Sequence, residues 1–277
     1  MSRLMESDDY IITNVLLLFL LINFNLQIGT IYGLMAVIDW VAYYIAIDRG
    51  SFKLSPIEKS KSSRFQNLVW GMGAYVAFIF IANFTSQNLS LITSGGALEN
   101  ISKLIAESFS ATPILYGSQY LRLMVWGLLI PIIETRFFFR TLLDWGLSAS
   151  GVSRPRSNSI GDLFTIKSLL VMGFFGALFS VFHIVAKGIT NNSSLLVTFM
   201  FGVVSVGLVL YFGEAVQAIF LHIITNTIAT MQQLGINVFG ASGFNIEAGL
   251  ILTGVFVATW LLLFQQLPFI GTKKARG

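Results

Sequence analysis

The chain has no cysteine, and only 11% of its 277 residues carry charge. Without cysteine, disulfides, thiol nucleophiles and cysteine-ligated metals are excluded. The low charge argues against a soluble fold, because soluble domains carry charge on about a quarter of their residues. The net charge of +4 is modest and clusters in a few loops, a pattern typical of membrane topology, so we expect no nucleic-acid partner.

Hydrophobic residues make up 55% of the chain and fall in blocks long enough to cross a bilayer, which takes about 20 residues. Strand-type alternation is absent, so helices rather than a barrel would satisfy the backbone in lipid. The sequence therefore predicts an all-α fold, a polytopic transmembrane bundle of about eight helices, or seven if the first two blocks form one bent helix. The blocks run at about 10–28, 29–47, 67–86, 122–145, 163–186, 195–212, 214–230 and 248–266.

The basic residues indicate how the chain is oriented. They concentrate in segments 48–66 and 146–166 and in the C-terminal tail, which the positive-inside rule places in the cytoplasm. We therefore expect a multi-pass protein of the plasma membrane with a cytoplasmic C-terminus. Lys187, just after the fifth block, is expected in an outer segment. Because the first block follows acidic residues such as Glu6 rather than a basic region, we expect no cleavable signal peptide.

Three segments place ionisable or polar groups inside apolar blocks, where such groups are costly and therefore suggest function. In the first segment, Glu134 is followed by Arg136 and Arg140. A carboxylate alone in lipid favours its neutral form, whereas a neighbouring arginine would keep it ionised, as a general base requires. The alternative for this segment is a structural ion pair that joins two helices.

The other two segments contain both histidines of the chain. His183 follows Phe179 by four residues, and by itself such a histidine is more typical of a packed or interfacial residue. His222 and Asn226 are also four residues apart, so they share one helix face. A histidine and a carboxamide among leucines and isoleucines cost desolvation unless both are hydrogen-bonded, which favours a functional interpretation of this pair.

The order of these groups resembles the CPBP family of intramembrane proteases, which includes the type II CAAX prenyl endopeptidases and the Abi proteins. That family reads Glu-Glu-x-x-x-Arg, then Phe-x-x-x-His, then His-x-x-x-Asn. Phe179 and His183 fit the second motif, and His222 and Asn226 fit the third. The resemblance covers about residues 122–230. It implies a catalytic four-helix core at 116–235, preceded by transmembrane helices and loops at 1–115 and followed by one helix and the basic tail at 236–277.

The first motif departs from the family pattern. Thr135 stands where the family has its second glutamate, and Arg140 falls six residues after Glu134 instead of five. On a regular helix neither Arg136 nor Arg140 shares the face of Glu134. One extra residue in a helix is usually absorbed as a π-bulge, often at a functional site. We therefore predict a bulge across 137–139, without which Arg140 would not serve as the charge partner of Glu134.

The resemblance implies an endopeptidase that hydrolyses a peptide bond in a membrane-tethered peptide or protein, with prenylated CAAX-type tails as one substrate class. It implies that Glu134 activates a water, that His222 and Asn226 donate to the developing oxyanion, and that His183 orients the water or the glutamate. Arg140 and Phe179 would support them.

Two alternatives remain open at the level of sequence. The site is either metal-free or holds zinc through Glu134, His183 and His222, three ligands that leave one position for water. The chain is either a protease or a catalytically inactive membrane scaffold or bacteriocin-immunity-like protein, which the altered first motif favours. An ion transporter, with Asp39, Glu134 and Glu214 along its path, ranks last.

Overall fold

The computed structural model describes residues 26–49, 64–88, 122–150, 160–189, 192–236, 239–240 and 243–264. In this part of the chain the structure is helical, apart from two-residue strands that pair antiparallel between Phe239–Gly240 and Gly243–Phe244. The predicted all-α class is confirmed. The long helices are α1 (Leu26–Arg49), α2 (Arg64–Asn88), α3 (residues 123–149), α4 (Ile166–Lys187), α5 (Asn192–Phe212), α6 (Val216–Gln233) and α7 (Ile246–Phe264), and a short 3-10 turn, Ile160–Phe164, precedes α4.

These helices follow the apolar blocks from the second to the eighth in order. The first block, apart from its last residues, and the C-terminal basic tail lie outside the described residues. Helices α4 and α5, with 22 and 21 residues, are long and apolar enough to cross a membrane.

Large apolar side chains point outward and many polar ones point inward. Phe80 on α2 and Leu170 and Val185 on α4 are 69%, 69% and 77% exposed. The buried set, in contrast, includes charged residues such as Asp39 and Glu134. Exposed apolar surface on this scale marks contact with a membrane or a partner rather than with water.

Helix α6 lies at the centre of the bundle. It packs against α2, α3, α5 and α7, and its side chains from Val216 to Thr227 are buried on every face. A helix that is buried all round is typical of the core of a large bundle. The polar residues of α6, His222 among them, therefore face neighbouring helices and not the surroundings.

Helices α4 and α5 approach each other through a pair of glycines. A Cβ atom on Gly202 would lie 2.7 Å from the Cα of Gly176, and one on Gly176 would lie 2.8 Å from Val203 Cγ2. Small residues of this kind let two backbones pack closely in membrane bundles. This contact fixes α4, which carries His183, against the core of the bundle.

Helix α3 alternates between two helical geometries. The segments Leu123–Leu129 and Thr135–Leu142 are π-helical, while Ile130–Glu134 and Leu143–Ala149 are α-helical. The bulge predicted across 137–139 is thus confirmed, and it extends over a longer stretch than one inserted residue requires.

The first π segment ends at Leu129, two residues before Pro131. The N–H of Ile130 bonds to Val125 O in the i→i+5 pattern, and the next donor in that pattern, Pro131, has no N–H. The carbonyl of Trp126 therefore receives no N–H from Pro131, and the side chain of Asn226 on α6 donates to it.

Candidate active site

Glu134 is fully buried at the junction between the α segment Ile130–Glu134 and the second π segment of α3. Its Oε1 accepts a hydrogen bond from the Tyr32 hydroxyl at 2.5 Å and lies 3.6 Å from Lys187 Nζ. Its Oε2 lies 3.2 Å from His222 Nε2. The carboxylate therefore contacts side chains from α1, α4 and α6, and it is the group on which these helices converge.

His222 is held in one orientation by its two ring nitrogens. Nδ1 lies 2.9 Å from the hydroxyl of Thr135, while Nε2 faces the carboxylate of Glu134. Nε2 and Glu134 Oε2 lie within ion-pair distance without hydrogen-bond geometry, and the neutral tautomer that suits both neighbours carries its hydrogen on Nε2 and accepts from Thr135 at Nδ1. The threonine that replaces the expected second glutamate thus positions the histidine.

His183 is held in the opposite tautomer. Its Nδ1 lies 2.9 Å from the backbone carbonyl of Phe179, and its Nε2 lies 3.2 Å from Lys187 Nζ. Because a carbonyl only accepts and an ammonium only donates, Nδ1 carries the hydrogen and Nε2 presents its lone pair to the lysine. Both histidines point toward Glu134, one directly and one through Lys187.

Lys187 connects Glu134 to His183. It is the last residue of α4, which ends at Gly188 in the left-handed conformation with φ of 66°, and its side chain is only 3% exposed. The expectation that Lys187 lies beyond the end of the helix is wrong. His183 and Lys187 are four residues apart on one helix face, so the lysine side chain turns back along α4 into the site.

The two arginines of the first motif, Arg136 and Arg140, are also buried. Arg136 Nη2 lies 3.3 Å from Asp39 Oδ2, and Thr141 donates to the other oxygen of Asp39. Arg140 lies in the same π segment and is 2% exposed. The pair Asp39–Arg136 joins α1 to α3 and is the kind of structural ion pair that the sequence offered as an alternative for this segment.

Aromatic rings enclose the histidines. The Phe179 ring lies 4.4 Å from the His183 ring and 5.7 Å from the His222 ring, measured between centroids. The Phe201 ring lies 4.7 Å from that of His222, and the Phe138 ring meets the Phe179 ring edge to face. These rings exclude water from the polar cluster, which strengthens the electrostatic interactions within it.

Asn226 has a structural contact that the sequence did not reveal. Its Nδ2 donates to Trp126 O at 3.1 Å, the carbonyl that Pro131 leaves without a donor, and its Oδ1 is buried without a hydrogen-bond partner. The next residue, Thr227, donates to Gly127 O at 3.2 Å. On α6, the imidazole of His222 thus contacts Glu134, whereas the carboxamide of Asn226 contacts the backbone of α3.

A zinc ion bound by Glu134, His183 and His222 does not fit the arrangement as it stands. The lone pair of His183 Nε2 and the Oε1 of Glu134 both face the Lys187 ammonium, so the ion would have to displace this cation. Among the described residues no group of three or more histidine, aspartate, glutamate or cysteine side chains has the geometry of a metal site.

The structure brings together Glu134, His183 and His222 as the sequence analysis expected, with Phe179 packed against both rings. Sequence reasoning missed Tyr32 and Lys187. For Lys187 the four-residue spacing from His183 was a usable signal. For Tyr32 there was none, since its contact with Glu134 joins residues 102 positions apart.

Comparison of the chain with models of protein families, with curated proteins and with solved structures finds no match.

Proposed function

We propose that this protein is an intramembrane endopeptidase in which Glu134 is the general base. The observation that carries the proposal is the contact of a fully buried carboxylate with an imidazole, 3.2 Å from Glu134 Oε2 to His222 Nε2. A carboxylate and a histidine have no packing value in an apolar bundle and are costly there, so a chemical role accounts for them better than stability does.

In the proposed reaction Glu134 takes a proton from a water molecule, and the resulting hydroxide attacks the carbonyl carbon of the substrate peptide. The C–N bond then breaks, and Glu134 returns the proton to the leaving amine. Tyr32 and Lys187 hold Oε1, so Oε2 is the oxygen that meets the water. His222 and the Lys187 ammonium would stabilise negative charge on the oxyanion in this dry site.

The same proposal places the protein in the plasma membrane as a multi-pass bundle of about eight helices with a cytoplasmic C-terminus. Its support is the long apolar α4 and α5, the apolar side chains exposed on α2 and α4, and the additional apolar block at about 10–28. The bilayer would then be the main partner. The substrate would be a peptide or protein held in that membrane, with prenylated CAAX-type tails as one class.

The test uses the full chain, purified and reconstituted, with lipidated peptides as substrates. Glu134→Gln and His222→Ala are each expected to lower the cleavage rate by at least about 100-fold, the lower range for loss of general base catalysis. Equal rates for the wild type and both variants would reject the proposal.

A second candidate is a catalytically inactive membrane scaffold or immunity-like protein. The observation that favours it is the structural use of two proposed catalytic groups: Asn226 bonds to Trp126 O, and Glu134 has contacts on both oxygens. Under this candidate the wild type would cleave no lipidated peptide faster than Glu134→Gln does, while both would bind a partner equally well.

A further inference from the structure

We propose that the ammonium of Lys187 is the permanent cation of this site. It occupies the position between Glu134 and His183 that a zinc ion would need, so the native site excludes zinc. Removal of the ammonium would convert the same side chains into a zinc site. The inference concerns metal binding and is tested without measuring peptide hydrolysis, so its outcome is independent of the proposed activity.

The distances leave room for only one cation between Glu134 and His183, either the Lys187 ammonium or a zinc ion. Lys187 Nζ lies 3.6 Å from Glu134 Oε1 and 3.2 Å from His183 Nε2. Zinc would have to lie about 2.0–2.2 Å from those same two atoms. An ion at that distance from both atoms would overlap the ammonium or force it away. The side chain of Lys187 is 3% exposed, so the ammonium is buried at this position.

The side chains around Lys187 are of the types that bind zinc, and they would have to close around the ion once the ammonium is removed. His183 donates its Nδ1 hydrogen to Phe179 O, which directs the Nε2 lone pair into the site, as metal-binding histidines require. Glu134 supplies an anionic oxygen, and His222 Nε2, beside the other oxygen of the same carboxylate, becomes a third donor once its hydrogen moves to Nδ1 and is donated to Thr135. A glutamate and two histidines are a common set of three protein ligands for zinc. What sets this site apart is the cation already bound within it.

The charge of the Lys187 ammonium also disfavours zinc. One carboxylate and one ammonium form a neutral pair in the buried site. A zinc ion added beside the ammonium would place two like charges within a few ångströms of each other in a medium of low dielectric, where repulsion is strong. The ammonium therefore acts against the metal both by its volume and by its charge.

The experiment compares Lys187→Met with Lys187→Arg in the full chain, purified in detergent and stripped of metal with a chelator. Zinc is then titrated against a fluorescent chelator, and bound zinc is counted. Lys187→Met, which removes the charge at similar length, is expected to bind one zinc ion per chain at least about 100-fold more tightly than the wild type. Lys187→Arg, which keeps a cation, is expected to bind as weakly as the wild type.

Two further variants identify where the ion binds. Adding Glu134→Gln or His183→Ala to Lys187→Met is expected to abolish the new binding. Lys167→Met, at the exposed start of the same helix, is the matched control and is expected to leave zinc binding at the wild-type level.

Two results would overturn the inference. One is a wild-type chain that retains one zinc ion that the Glu134→Gln variant loses. The other is a Lys187→Met variant that is folded by its thermal unfolding curve and binds zinc no more tightly than the wild type. If Lys187→Met fails to fold, Lys187→Gln replaces it, and the wild-type titration by itself still tests the exclusion of zinc.

Discussion

The ion pair between Asp39 and Arg136 offers a test of how α1 is held on α3. Both side chains are nearly buried, 4% and 7% exposed, with 3.3 Å between Oδ2 and Nη2, and Thr141 satisfies the other oxygen of Asp39. Removing one partner of a buried pair costs about 3–5 kcal/mol because the other charge is left without compensation. Polar contacts inside membrane bundles measure lower than this, so we expect Asp39→Ala to lower the free energy of unfolding by about 3 kcal/mol.

The assay is reversible unfolding in mixed micelles, followed by tryptophan fluorescence, for Asp39→Ala, Arg136→Met and the double variant. Because the two side chains touch, the double variant is expected to be more stable than the sum of the single effects predicts, with a coupling energy of at least about 1 kcal/mol. Glu247→Ala, an exposed carboxylate at the start of α7, is the control and is expected to change stability by less than about 0.5 kcal/mol. A coupling energy indistinguishable from zero would show that the pair does not join the helices.

The remaining predictions concern the orientation of His222 and the packing of α4. Thr135→Val removes the hydroxyl that positions His222 Nδ1 and is expected to lower the cleavage rate about 10–100-fold without changing the unfolding curve, whereas Thr135→Ser keeps the hydroxyl and the rate. Equal rates for both variants would refute this role. Gly176→Ala places a methyl 2.8 Å from Val203 Cγ2 and 3.0 Å from Phe199 O, so it is expected to destabilise the fold by about 1–3 kcal/mol in the same micelle assay. Gly173→Ala on the same helix meets nothing within 4 Å and is expected to be neutral or mildly stabilising, and similar losses for the two variants would contradict the close contact of α4 and α5.

Local patterns in the sequence predicted much of the fold. An apolar block can be recognised from its own residues without knowledge of the rest of the fold. For this reason the described helices follow seven of the predicted blocks. The π-helical geometry around 137–139 followed from one extra residue between Glu134 and Arg140. The expectation that Glu134, His183 and His222 lie together rested on the resemblance of their motifs to the CPBP pattern, since burial cost by itself indicated only that each of these groups needs a partner.

The partners of the charged groups were not predictable in the same way. A lysine at the end of an apolar block is usually assigned to the surroundings, but Lys187 turns back into the bundle because Glu134 lies within reach of its long side chain. The contact of Tyr32 with Glu134 depends on how α1 packs on α3, which no local pattern encodes. Asn226 bonds to Trp126 O because Pro131 leaves that carbonyl without a donor, a relation that requires the π geometry of α3 to be known first.

The most direct test of the proposed function is the cleavage rate of a lipidated peptide by the reconstituted wild type, Glu134→Gln and Glu214→Gln. Glu214 is the matched control, since it is also a buried carboxylate and its Oε1 accepts from Gln217 Nε2 at 2.6 Å. A protease that uses Glu134 as its base predicts a loss of at least about 100-fold for Glu134→Gln and a rate near wild type for Glu214→Gln, with both variants folded. Cleavage by Glu134→Gln at the wild-type rate would contradict it.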